Sequence, residues 1–217
     1  MSDIQSREAI IQYAHKFNSS GLSVGKSGNI SARSEKGFLI TPTGFNYKEL
    51  NNPEDICHCD IDGNIIEGKW APSSEWQVHS DIYKNRTDIK AVVHCHSTYA
   101  TALACCNIDI PSFHYMIAIV GGGQIKCADY ATFGTRELSE NVIKALGERK
   151  ACLLANHGQL TVSDSVENAF RLAEEVENLA KQYCISIHIG NPVLLDDAEM
   201  QRNLEKFKLY GKKNQHE

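Results

Sequence analysis

Apolar side chains at Ile4, Ala9, Ile10, Tyr13, Ala14 and Phe17 recur near the helical period, so the chain is expected to open with a helix over 4–17, stopped by Gly21. Gly25-Lys26-Ser27-Gly28-Asn29 breaks that pattern as a glycine-bounded loop. Short β-rich runs at 30–33 and 38–41 flank the turn Glu35-Lys36-Gly37, and Thr41-Pro42-Thr43-Gly44 makes a second tight turn. Residues 56–61 and 64–67 read as a hairpin, because Asp62-Gly63 between them is a strong turn signal. Pro72-Ser73-Ser74-Glu75 opens a helix that runs to about Tyr83, with the serines placed to cap it.

The second half alternates in the same way. Residues 90–96 form an apolar, buried strand, 97–106 a helix, and 112–120 a strand ended by Gly121-Gly122-Gly123. Leu138, Val142 and Leu146 lie on one side of a helix over 135–146, and 151–155 is another strand. The clearest helical period runs over 165–186, with Asp164 and Glu167 placed at its N-terminal cap. A last helix over 197–210 precedes a polar tail, about 211–217, expected to fray. No repeat or linker divides the chain. Strands and helices interleave throughout, which makes the class α/β and the organisation a single domain over 1–217.

Composition narrows what such a domain does. With 22 Lys or Arg against 27 Asp or Glu, the net charge of −5 gives no footprint for nucleic acid. The longest apolar run, 116–120, is far too short to span a bilayer, and residues 1–8 lack the apolar stretch of an export signal. Eight cysteines scattered through a chain of this length read as reduced thiols, so a cytoplasmic location is expected. Cys57-His58-Cys59 has no second Cys/His pair at zinc-finger spacing, and alternation in a strand explains it.

Candidate chemistry starts with His94-Cys95-His96. Residues i and i+2 on a strand face the same way, so both imidazoles can reach one ion, although such a pair also suits two histidines packed on a sheet. Asn156-His157-Gly158 follows an apolar strand, where functional groups of α/β sheets gather, and Gly158 allows close approach. Three imidazoles at strand ends suit a catalytic zinc site with an open position. Glu75 would complete that set as base or ligand if its helix faces the strands; otherwise it merely complements a helix dipole.

Three segments offer backbone N–H and hydroxyl donors to a phosphate: Ser27-Gly28-Asn29, Thr41-Pro42-Thr43-Gly44 and Ser73-Ser74, with Lys26 adding a positive charge. Each alone is an ordinary turn or cap. Their combination with a metal set in one chain points to a phosphate site. Other zinc folds fit less well, since a cupin needs all-β architecture and an amidohydrolase barrel usually needs a longer chain.

Gly28-Asn29-Ile30-Ser31, Leu39 to Gly44, Pro72 to Glu75, His94-Cys95-His96 and Asn156-His157-Gly158 occur in the order of the class II aldolase/adducin family, which the chain resembles over nearly its whole length. The resemblance implies a central, mostly antiparallel β-sheet flanked by helices, assembled as a homotetramer with active sites between neighbours. It implies one Zn2+ per subunit on His94, His96 and His157, with Glu75 ligating the resting metal and then acting as acid/base. Asn29, Thr43, Gly44, Ser73 and Ser74 would hold the phosphate with Gly28 beside them. Tyr115 would donate a proton in a neighbour's site, while Phe133 and Tyr210 would shape the aldehyde end. Segments 110–118, 130–138 and 205–211 resemble the members that cleave L-fuculose 1-phosphate. Lys26-Ser27, where those members have Thr-Ala, and Asn156, where they often have a second histidine, keep 5-deoxyribulose 1-phosphate and methylthioribulose 1-phosphate open as alternatives. A methylthioribulose-1-phosphate dehydratase and a non-catalytic adducin-like module are the remaining readings.

Overall fold

Polar and glycine-rich turns cut the chain into short strands that must pair across long sequence distances. In a computed structural model, which describes residues 2–209, they form one eight-stranded sheet. The strands are β1 (Asn29–Ser34), β2 (Gly37–Ile40), β3 (Cys57–Cys59), β4 (Ile65–Glu67), β5 (Ala91–Cys95), β6 (Lys126–Ala128), β7 (Ala151–Leu154) and β8 (Gly158–Ser163). Their order is β4-β3-β2-β1-β5-β8-β7-β6, antiparallel except where β6 joins β7. The helices are α1 (Asp3–Ala14), α2 (Phe17–Ser20), α3 (Trp76–Asn85), α4 (Thr98–Cys105), α5 (Arg136–Leu146), α6 (Val166–Ile189) and α7 (Asp197–Leu209). The single-domain α/β architecture expected from the sequence is the one observed.

Strand alternation decides which helix covers which face. Val93 and Cys95 of β5 pack with Ile10 of α1 and Phe170 of α6, whereas Val92 packs with Val78 and Ile82 of α3 and Val142 of α5. His94 is two residues from Val92, so β5 turns it toward the face that α3 covers. That phase aims the histidines at the start of α3.

Several local expectations are corrected. The apolar run 112–120 is not a strand: Tyr115–Val120 is a 3-10 helix that buries Ile117, Ala118 and Val120 beside Met200 of α7. A continuous apolar run encodes burial but no period, and the sheet edge here is taken by β6. The α6 cap is Ser165, whose side chain accepts from Asn168 N–H, while Asp164 accepts from the Asn168 side chain. The serines before α3 do not cap it; Glu75 is the N-cap residue, and Ser73 Oγ accepts from its N–H at 3.3 Å. Strand β8 was not expected, since its polar residues Gln159 and Thr161 are buried and find partners only in the tertiary fold: both donate to α6 carbonyls. Among the described residues no helix is long and apolar enough to cross a membrane.

Candidate active site

Register assembles the site. Asn29 pairs with His94 across β1 and β5, and Cys95 pairs with Gln159 across β5 and β8, so the ends of three strands meet at one point. The β7–β8 turn brings His157 there. Gly158 permits the approach: a Cβ at that position would overlap the Cys95 carbonyl oxygen and stand 2.8 Å from His96 Cδ2. Asn156 makes the turn itself with φ +54°, a left-handed conformation that asparagine tolerates and β-branched residues resist. Asn156→Val is therefore expected to cost about 1–2 kcal/mol in urea unfolding of the metal-free protein, and Asn156→Gly less. Equal losses from the two would mean that the turn is not held in this conformation.

The imidazole rings of His94, His96 and His157 form a near-equilateral triangle with centroids 4.7–5.0 Å apart. They are the one metal-capable cluster among the described residues. His94 Nδ1 donates to the Gln159 carbonyl at 2.9 Å, so its Nε2 carries a free lone pair. Burial, then neighbouring His96, pushes the His94 imidazole down to about 3. Burial and then His94 take His157 to about 3, and burial lowers His96. All three are held neutral, the form that ligates metal.

Glu75 stands against the triad, with Oε2 at 3.3 Å from His94 Nε2 and Oε1 at 3.4 Å from His157 Nε2. Ligands on a tetrahedral ion at about 2.0–2.1 Å stand about 3.3–3.4 Å apart, so these separations suit a small divalent cation. His94 and His96 Nε2 are 3.0 Å apart, a spacing at which two lone pairs repel unless a proton or cation lies between them. The donor set fits a metal.

A cavity of about 320 Å³ opens beside this cluster, lined by Glu75, His96 and His157, with His94 buried behind. The residues of the predicted anion cradle line the same cavity. Thr43 N–H donates to the Ala71 carbonyl and Ser73 N–H to that of Thr41, both at 3.0 Å, with a bridge between Pro42 and Pro72. That pairing sets Thr43-Gly44 and Ser73-Ser74 side by side on the cavity wall, and Lys26, Ser27, Gly28 and Asn29 line the same cavity. Phe133 also lines it, and so does Tyr130 from the same segment, 130–138. Tyr115 does not line this cavity; its ring is half-exposed and stacks on Phe207 at 6.4 Å. Tyr210 lies outside the described residues.

Two features changed with the structure. The Asn29 side chain donates to Glu75 Oε2 at 2.9 Å, so it grips the carboxylate as well as facing the cavity. His79 was missed, although it follows Glu75 by one helical turn, a spacing that puts both on the same side of α3.

An open, mostly antiparallel sheet with three histidines at its strand ends, faced by a carboxylate at the start of a helix, defines the class of protein. The chain belongs to the Class II Aldolase and Adducin N-terminal domain family, which it matches over residues 8–184. It is a class II aldolase, a metal-dependent kind of lyase. Its relatives include the L-fuculose phosphate aldolase of Escherichia coli K12, 50% identical over 192 residues and 88% of both chains. They also include the 5-methylthioribulose-1-phosphate/5-deoxyribulose-1-phosphate aldolase of Rhodospirillum rubrum, 46% identical over 97% of this chain and 94% of that one. A solved L-fuculose 1-phosphate aldolase superimposes with a TM-score of 0.91 at 44% identity, covering 96% of this chain and 98% of the other.

Proposed function

We propose that the protein is a zinc aldolase that reversibly cleaves L-fuculose 1-phosphate to dihydroxyacetone phosphate and L-lactaldehyde. One observation carries the reading: Glu75, 3.3 Å from His94 and 3.4 Å from His157, faces the same cavity as the paired Thr43-Gly44 and Ser73-Ser74 turns. Zinc fits a set of three histidines with an open position. When bound, it supplies Lewis-acid stabilisation of negative charge on the substrate's oxygens.

The chain's own residues do the rest. Asn29, Thr43, Gly44, Ser73 and Ser74 hold the phosphate, with Gly28 beside them and Lys26 as the cation on the wall. Loss of the C4 hydroxyl proton sends the C3–C4 bond pair toward the C2 carbonyl, which releases the aldehyde and leaves the enediolate of dihydroxyacetone phosphate. Glu75 delivers the proton to C3 and takes it back in the reverse direction. Tyr115, exposed on its own subunit, relays the C4 hydroxyl proton to water in a neighbour's site of a homotetramer and returns a proton to the aldehyde oxygen in the reverse direction, while Phe133 and Tyr210 shape the aldehyde end.

If the paired turns grip phosphate, Ser74→Ala should raise KM while leaving kcat near the parent value, the pattern of binding shared by ground and transition states. Equal turnover of phosphorylated and free ketose would remove the cradle from the mechanism.

The second reading keeps the same machinery with 5-deoxyribulose 1-phosphate or methylthioribulose 1-phosphate as substrate. The Rhodospirillum rubrum relative, aligned over 97% of this chain, favours it. An apolar wall discriminates weakly, since one methylene is worth about 1–3 kcal/mol. Side-by-side kcat/KM values for the three phosphates decide between them. A preference of about tenfold (about 1.4 kcal/mol) for either pentulose overturns the fuculose assignment, and product analysis separates cleavage from dehydration.

A further inference from the structure

Asn29 connects Glu75 to a line of buried polar groups, His79, Ser31 and Tyr83, that the proposed chemistry does not use and that do not line the cavity. Asn29 and Ser31 are alternate residues of β1 and face the same way, while His79 and Tyr83 are one turn apart on α3. The two elements are therefore zipped by side chains: His79 Nε2 meets Asn29 Oδ1 at 2.5 Å, His79 Nδ1 meets Ser31 Oγ at 2.6 Å, and Ser31 Oγ meets Tyr83 OH at 2.7 Å.

Donor and acceptor chemistry gives this line one direction. The Glu75 carboxylate only accepts, so the Asn29 atom 2.9 Å from it is the NH2. Asn29 then presents its oxygen to His79, whose Nε2 must donate. Burial holds the His79 imidazole low, at about 3, and hence neutral, so Nδ1 has no proton and accepts from Ser31. The Ser31 hydroxyl has one hydrogen, so it accepts from Tyr83. Each group donates toward Glu75.

We infer that His79 is a positioning residue, whose Nε2–H locks the Asn29 amide with its NH2 toward Glu75 and the cavity. Without that lock the amide can rotate and set its oxygen against the carboxylate, which repels it. The role assigned to Glu75 rests on the reading under Proposed function; the direction of the chain rests on hydrogen-bond geometry and on the neutral His79 ring.

Two measurements test the inference. The first is imidazole nitrogen NMR of the histidine-labelled protein, with the His79 signals identified by their loss in His79→Gln. A neutral ring protonated on Nε2 is expected; a proton on Nδ1 overturns the inference, because the chain would then run the other way. The second compares His79→Gln with His79→Asn. The Gln amide can place a donor where Nε2 was, whereas the shorter Asn amide reaches only the Nδ1 position. His79→Asn should lose about 10–100-fold in the rate of C3 proton exchange of dihydroxyacetone phosphate in deuterated water. His79→Gln should keep most of that rate despite a similar fall in melting temperature. Equal rate losses in the two variants, tracking stability, would make His79 merely structural. If the parent protein exchanges no proton, the aldolase reading of Glu75 fails, and the NMR result still decides the direction of the chain.

Discussion

Glu75→Gln is expected to fold normally and to lose about 10²–10⁴-fold in rate, the scale of a missing general acid/base. The amide is almost isosteric with the carboxylate, and its oxygen can still accept from the Asn29 side chain that holds Oε2 at 2.9 Å. Packing is preserved while the ability to take a proton from carbon is lost. The measurement is the exchange of the C3 proton of dihydroxyacetone phosphate into deuterated water, which isolates that step from cleavage. Exchange at the parent rate in the variant refutes the role of Glu75. A lower melting temperature without a rate loss would make the residue a structural anchor for the start of α3.

The second large effect is on metal content. One zinc per chain is expected in the purified protein, and His94→Ala should lose most of it together with activity. His94 is the most constrained of the three imidazoles: it is 2% exposed, and its Nδ1 is tied to the Gln159 carbonyl of β8. That bond sets both the tautomer and the ring orientation, so the Nε2 lone pair is aimed before any ion arrives. Alanine removes the ligand and leaves two imidazoles and one carboxylate. Metal analysis and activity should fall together. Full occupancy with full turnover in His94→Ala would mean that the triad is not the metal site.

Much of this site is legible before folding is considered, because part of its geometry is local. A strand has a side-chain period of two, so His94 and His96 share a face in any sheet that contains 90–96. The glycine at 158 and the turns at 41–44 and 72–75 mark the places where backbone must come close to something. Interleaved strand and helix patterns fix the α/β class for the same reason, since each period is set by residues a few positions apart.

What lies beyond local reach was decided by tertiary structure. The run 112–120 states that it is buried but not in which conformation; in the fold β6 is the edge strand and Tyr115–Val120 is a 3-10 helix. Gln159 and Thr161 look like surface residues until α6 supplies their acceptors. Asn29 reads as a phosphate ligand in a loop, yet antiparallel pairing of β1 with β5 puts it beside His94 and within 2.9 Å of Glu75. The pattern of the chain offers Glu75, His94 and His157 as one set but gives none of the distances between them, and it does not say that His79, Ser31 and Tyr83 line up beside Asn29. Those distances follow from strand order and register, which are fixed by burying apolar faces drawn from the whole sequence at once. The sequence by itself determined the residue types, the strand phase and the turns of the site; the packing of α3 against the sheet determined that they form one.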